Sequence, residues 1–252
     1  MTAVENHHDA AAGYAYSVAR IVRPMSSPAS STVPGIRPAS GVLYLHGFNS
    51  GSASWKAALV REACAVLDLP CESPSLPPDP ERAMALAEER RQRLGSCPLV
   101  VGSSMGGFMA TLIAERHGLR AVLINPAVAP ARLIADWLDE AFTNPYSGEQ
   151  FRVTIAQGEY LEAVTPERVE PSRYRLLLGT ADERLDCREA FTLYRGASTI
   201  LHPGGDHNFS ALHRYLPAIL AWGGHRLAAD AVAPPPPAPS ASEPSSSPSP
   251  QQ

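Results

Sequence analysis

Along the chain, short runs of consecutive apolar residues alternate with longer stretches in which apolar positions recur every three or four residues. The first run, GVLYLHG, is rich in β-branched and aromatic residues and ends in a turn, so it predicts a strand. In the following SASWKAALVREACAVLDL, residues Trp55, Leu59, Ala63, Val66 and Leu67 fall close to one helical face. The cycle continues with CESPSL as a weak strand, PERAMALAEERRQRL as a helix, PLVVG as a strand, a helix opened by GSSMGG, and RAVLIN as a strand. After an interruption it resumes as RYRLLLG, CREAFTLYRG, STILHP and FSALHRYLPAILAW, the last read as one helix. Strands that are apolar throughout must be covered on both sides. The alternation therefore predicts an α/β fold: a mostly parallel sheet with helices on both faces. Ligands of such sheets bind at the carboxyl ends of the strands.

The interruption between RAVLINP and RYRLLLG is about 45 residues, too long for a plain crossover. It contains ARLIADWLDEAF, which reads as a helix, and NPYSGEQFRVTIAQGEYLEAV. A small cap insertion over about residues 127–170 is expected, with Trp137 and Phe142 as candidate substrate-binding side chains. Both ends of the chain differ in character. PMSSPASSTVPGIRPASG and APPPPAPSASEPSSSPSPQQ hold too little apolar surface to offset the entropy of ordering. They predict a poorly ordered leader over 1–40, one folded domain over 41–228, and a disordered Pro/Ser-rich tail over 229–252.

Composition narrows the class. With 252 residues and 44% hydrophobic content the chain can bury a full core. A net charge of −4, a pI near 6.1 and no dense Lys/Arg cluster argue against nucleic acid or an anionic membrane as partner. Neither a signal-like apolar segment near the start nor a run of about 18 apolar residues is present, which predicts a cytoplasmic protein. Cys64, Cys71, Cys97 and Cys187 lack CxxC spacing and read as reduced thiols. The His7–His8 pair reads as incidental, and no metal or organic cofactor is expected.

The chemistry centres on GSSMG, residues 102–106, which stands between the apolar run PLVV and a helical stretch. A serine hydroxyl attacks a carbonyl only when it is presented by a sharp turn, deprotonated by a base and opposed by donors to the developing oxyanion. G-x-S-x-G in a strand–turn–helix context meets the first condition and makes Ser104 the candidate nucleophile. The Phe48 N–H in LHGFNSG and the Met105 N–H at the start of the helix are the candidate oxyanion donors. His46 reads as a side chain that fixes its loop. For the base, His207 stands on the Gly-rich loop of HPGGDHNFS, while His202 and His213 read as packing or surface residues. Asp182, just past the strand RYRLLLG, is the candidate acid. Its rivals are Asp186, which reads as a helix cap, and Asp206, which adjoins His207. The chain order Ser, Asp, His is that of the α/β-hydrolase arrangement.

Taken together, LYLHGFNSG, SWKA, VVGSSMGGFMAT, LINPAVAP, NPYSGEQF, LLLGTADERLD and GGDHNFS resemble the YqiA-like family of small bacterial esterases within the α/β-hydrolase superfamily, over about residues 41–222. The resemblance implies a minimal α/β-hydrolase fold lacking the first two strands of larger members. It also implies hydrolysis of small-molecule carboxylic esters or thioesters, with Ser104, Asp182 and His207 at the family's triad positions. The acidic loop departs slightly in carrying Glu183 beside Asp182. The reading is thus a serine hydrolase of carboxylesterase or thioesterase type. The alternative is a non-catalytic hydrolase-fold protein that binds an acyl or ester ligand.

Overall fold

The computed structural model describes residues 32–234. The expected leader and tail, with the His7–His8 pair, lie for the most part outside the described residues. The elements run β1 (Val42–Leu45), α1 (Trp55–Val66), β2 (Cys71–Glu72), α2 (Pro80–Gln92), β3 (Leu99–Ser103), α3 (Met105–His117) and β4 (Ala121–Ile124). They continue with α4 (Pro130–Ala135), β5 (Ala141–Thr143), β6 (Gln150–Arg152), α5 (Ile155–Val164), β7 (Tyr174–Gly179), α6 (Cys187–Leu193), β8 (Ser198–His202) and α7 (Leu216–Trp222).

Six strands form one sheet in the order β2-β1-β3-β4-β7-β8, with every neighbouring pair parallel. The pleat sorts their side chains. Leu43, Leu45, Val100, Leu123, Leu176 and Leu178 face a layer that includes α2 and α3. Val42, Tyr44, Val101, Val122, Ile124 and Leu177 face α1 and α7. Both sets are almost wholly buried, and each fully buried aliphatic side chain contributes roughly 1.5–3 kcal/mol. Strand order reverses between β1 and β3: the chain first goes out to β2, then crosses back and proceeds toward β8. The crevice of a parallel sheet opens at that reversal, beside the loops that leave β1 and β3.

Three expectations need correction. The stretch ARLIADWLDEAF is helical only to Ala135, and its last residues enter β5, which pairs with β6 in an antiparallel hairpin. Asp139 turns the chain with φ 63°. Phe142 lies directly opposite Phe151, their rings stacked at 5.4 Å, so cross-strand aromatic pairing prevails over helical periodicity. The final helix is shorter than FSALHRYLPAILAW suggests, because a 3₁₀ turn over residues 212–215 precedes α7. Pro217, which has no N–H to donate, falls in the first turn of α7, where none is needed.

The folded unit also extends beyond 41–228. Thr32 bridges to His225, the Val33 and Ala39 N–H groups donate to the Gly224 and Gly223 carbonyls at 2.9 and 2.7 Å, and Ala39 and Val232 are buried. Low apolar content in these flanks is offset by backbone pairing against the end of α7. Cys64, Cys71, Cys97 and Cys187 are unpaired. No helix among the described residues is long and apolar enough to cross a membrane.

Candidate active site

Ser104 stands between the end of β3 and the start of α3 with φ 55° and ψ −121°, a backbone conformation that costs a non-glycine residue of order 1–3 kcal/mol. The surrounding chain holds it there. Its N–H donates to the Ile124 carbonyl at 3.0 Å, and its carbonyl accepts from Gly107 at 2.8 Å and Ala127 at 3.1 Å. The turn is tight enough to forbid side chains on both flanks. A Cβ on Gly102 would come within 2.1 Å of the Gly106 carbonyl oxygen, and one on Gly106 within 2.1 Å of the Leu45 oxygen. The two glycines of the motif are therefore steric requirements of the fold.

His207 lies on the loop after β8 and Asp182 on the loop after β7, and the parallel register brings both beside Ser104. The His207 Nε2 is 3.2 Å from the Ser104 Oγ. Its Nδ1 is 3.0 and 2.9 Å from the two Asp182 carboxylate oxygens. With Nδ1 protonated toward the carboxylate, Nε2 is the acceptor that faces the serine hydroxyl. The Asp182 side chain is 2% exposed, which by itself would raise its pKa. The hydrogen bond to His207 and the Leu185 and Arg184 N–H groups, each 2.9 Å from Oδ1, outweigh burial and hold it below the usual carboxylate range.

The rival carboxylates are engaged elsewhere. Asp186 caps α6 by accepting from the Arg188 N–H and pairs with the Arg188 guanidinium. Asp206 accepts from the Ser210 N–H at 3.0 Å and the Ser210 hydroxyl at 2.9 Å. Glu183 accepts the His207 backbone N–H at 3.0 Å, so it ties the His207 loop without a hydrogen bond to the imidazole. Of the remaining histidines, His202 pairs with the Tyr215 hydroxyl. His46 is buried, its Nδ1–H donating to the Gly47 carbonyl and its Nε2 accepting the Leu76 N–H. Burial also lowers the His46 pKa, so it is a neutral clamp on the loop after β1.

That loop runs alongside the serine turn, where a Cβ on Gly47 would lie 3.2 Å from the Ser104 Cβ. Met105 is the first residue of α3, and its N–H has no intrahelical acceptor. A pocket opens from Gly47, Phe48 and Met105 toward the insertion, with about 520 Å³ of space including its open mouth. Leu76, Met109, Ile134, Val153 and Leu161 make it apolar, and Asn144 and Gln157 add polar groups. Trp137 and Phe142, expected to bind substrate, do not line this pocket. They pack behind Phe48, with ring centroids 5.0 and 5.3 Å from its ring, because the hairpin gathers Trp137, Phe142 and Phe151 around it.

One charged group near the site was not singled out in the sequence. Lys56 stands in the first turn of α1, and its Nζ donates to the Ser103 Oγ at 3.2 Å. A basic residue there opposes the helix dipole, and that mismatch is the signal SWKA carries. Burial pulls its pKa down from 10.5 to about 8, against the pull of Asp206 and Asp182 in the other direction. A lysine whose folded-state pKa is depressed weakens the fold while it is charged in both states. Its contribution therefore rises as pH climbs from about 8 toward 10.5. Lys56→Met should be the more stable protein at pH 7, and its advantage over wild type should shrink by up to about 3 kcal/mol across that window. Urea unfolding of both proteins over that pH range checks this, and an advantage independent of pH would refute it.

Three solved structures share the architecture. The mouse alpha/beta hydrolase domain-containing protein 10 superposes with a TM-score of 0.56 at 17% identity, covering 69% of this chain and 84% of that one. The Paleococcus ferrophilus monoacylglycerol lipase gives 0.56 at 16% identity, with 72% and 93% covered. Est1E from Butyrivibrio proteoclasticus gives 0.51 at 15%, with 75% and 87% covered. At these identities the likeness establishes the α/β-hydrolase fold. In sequence, residues 41–223 match the model of a family described as uncharacterised, UPF0227. Because that match runs from the residue before β1 to the residue after α7 and takes in the Ser104 turn and both loops facing it, the chain belongs to the uncharacterised protein family UPF0227, the YqiA-like family.

Proposed function

We propose that this protein is a serine esterase that cleaves small carboxylic esters or thioesters through an acyl-enzyme. The observation that carries the reading is the His207 imidazole, 3.2 Å from the Ser104 Oγ through Nε2 and 2.9 Å from Asp182 through Nδ1. His207 accepts the hydroxyl proton as Ser104 Oγ bonds to the substrate carbonyl carbon, and Asp182 favours the imidazolium that results. The carbonyl oxygen becomes an oxyanion held by the Phe48 and Met105 N–H groups, the latter at the positive end of α3. On collapse the bond to the leaving alcohol or thiol breaks, and His207 returns its proton to that group. Water then repeats the two steps on the acyl-enzyme, releasing the acid and free Ser104. The apolar pocket beside Met105 suits the acyl chain.

Two of the structurally similar proteins bear names of this reaction class or of esterase type, the monoacylglycerol lipase and Est1E. A fluorophosphonate tests the reading directly, because its phosphorus accepts the activated serine and traps it. Intact-mass and peptide analysis should find one adduct on Ser104, formed at a rate that falls sharply in His207→Ala. An unlabelled protein with no aryl-ester hydrolysis would leave the non-catalytic ligand-binding alternative standing.

A further inference from the structure

Asn125 follows β4 directly and lies between the loops that leave β7 and β8. It is 3% exposed and has φ 41°, a left-handed conformation that asparagine tolerates better than most side chains. Backbone groups saturate its amide. Oδ1 accepts the Gly179 N–H at 2.8 Å, while the Nδ2 amino group donates to the Asp206 carbonyl at 2.9 Å and the His207 carbonyl at 3.2 Å. This orientation is fixed by chemistry, since the flipped amide would set donor against donor and acceptor against two acceptors. The Asn125 N–H also donates to the Leu177 carbonyl at 3.0 Å, so the residue is anchored to β7 by main chain as well.

Gly179 is the last residue of β7, three positions before Asp182, and the His207 carbonyl belongs to the residue that carries the imidazole. One buried side chain thus grips both loops at their roots. We propose that Asn125 is a positioning residue that sets the separation of the Asp182 and His207 loops and thereby the reach of the imidazole to Ser104. This rests on the reading of Ser104, His207 and Asp182 as the catalytic groups. Other ties join the two loops to each other: the Thr180 N–H to the His202 carbonyl at 3.1 Å where the strands end, and farther out the Ala181 N–H to the Gly205 carbonyl at 2.9 Å and the His207 N–H to Glu183. These hold the loops together laterally, whereas Asn125 holds both to the sheet.

The need for an asparagine follows from the partners. Aspartate retains the acceptor for Gly179 but turns a carboxylate oxygen toward two carbonyls. Leucine has the volume but leaves one N–H and two carbonyl oxygens without this partner. Glutamine has the right groups one methylene too far out. Each change displaces the His207 loop, and a shift of about 1 Å in a reacting group costs on the order of 10²-fold in rate.

Asn125→Asp in the full chain tests the proposal, because it keeps the size, the positive φ and the Gly179 acceptor. Aryl-ester hydrolysis should lose roughly 10²-fold in kcat with KM nearly unchanged, and thermal unfolding should remain cooperative. The decisive step repeats the substitution in a His207→Ala background. If Asn125 acts through the imidazole, the double variant hydrolyses as slowly as His207→Ala alone, since groups that work as a unit are not additive. Losses that multiply would overturn the proposal, as would a wild-type rate for Asn125→Asp. A wild-type rate for His207→Ala would instead strike down the reading of His207 as base. If Asn125→Asp does not fold, Asn125→Gly takes its place in the same cycle, since glycine accepts the backbone conformation without strain.

Discussion

Replacement of Ser104 by alanine should reduce hydrolysis of a short-chain aryl ester by roughly 10⁴-fold or more while the protein still folds. The size of the effect follows from the position of the hydroxyl. It is the group that Nε2 of His207 faces at 3.2 Å, and no other hydroxyl is hydrogen-bonded to that nitrogen among the described residues. Alanine retains a Cβ, so the strained turn and its main-chain hydrogen bonds persist. Ser103→Ala is the matching control. The Ser103 side chain points to the opposite face and accepts from Lys56, so its loss should leave turnover near wild type and reduce stability instead. Rates and unfolding midpoints of the two variants, measured side by side, separate chemistry from folding. Activity near wild type in Ser104→Ala would remove the serine mechanism altogether.

Asp182→Asn should lower kcat by roughly 10³- to 10⁴-fold with little change in KM. The amide retains one acceptor for the Arg184 and Leu185 N–H groups, so the loop stays in place, but it can present an N–H to His207 and reverse the tautomer. Nε2 would then carry the proton and could no longer accept from Ser104. Asp186→Asn should leave stability and turnover close to wild type, because asparagine caps a helix as well as aspartate does. Asp206→Asn keeps an acceptor for the Ser210 N–H and should act mildly through loop shape. Assaying the three with one ester ranks them. If either Asp186→Asn or Asp206→Asn proves costlier in turnover than Asp182→Asn, the acid has been assigned wrongly.

Much of this site is legible in the sequence because its constraints are local. The Ser104 turn announces itself through two glycines whose absent side chains the turn demands, flanked by an apolar strand and a helix. The fold follows from strands buried on both faces, which have no polar alternation to hide. The cap is the region where local and tertiary preferences diverge. ARLIADWLDEAF has helical spacing, yet Phe142 gains more by facing Phe151 and Phe48 across a hairpin. Trp137 and Phe142 are aromatic residues in the right segment, but sequence alone cannot tell a ring in the pocket from one packed behind Phe48. Asn125 is hard to see in the sequence for a related reason. A polar residue ending RAVLIN looks like ordinary strand punctuation, and its three partners lie 54 to 82 residues farther along the chain.

The insertion leaves the sheet after β4 and returns at β7, two strands that are already hydrogen-bonded neighbours. Its length can therefore drift over generations without disturbing the scaffold that carries Ser104, Asp182 and His207. A rebuilt hairpin would change the wall that Asn144 and Val153 give the pocket and leave the six-stranded sheet and the loops after β3, β7 and β8 where they are. Phe48 is the exception to that freedom. Its ring is held by Trp137, Phe142 and Phe151 of the insertion while its backbone belongs to the loop after β1. Any lineage that rebuilds the cap must find a new neighbour for that ring.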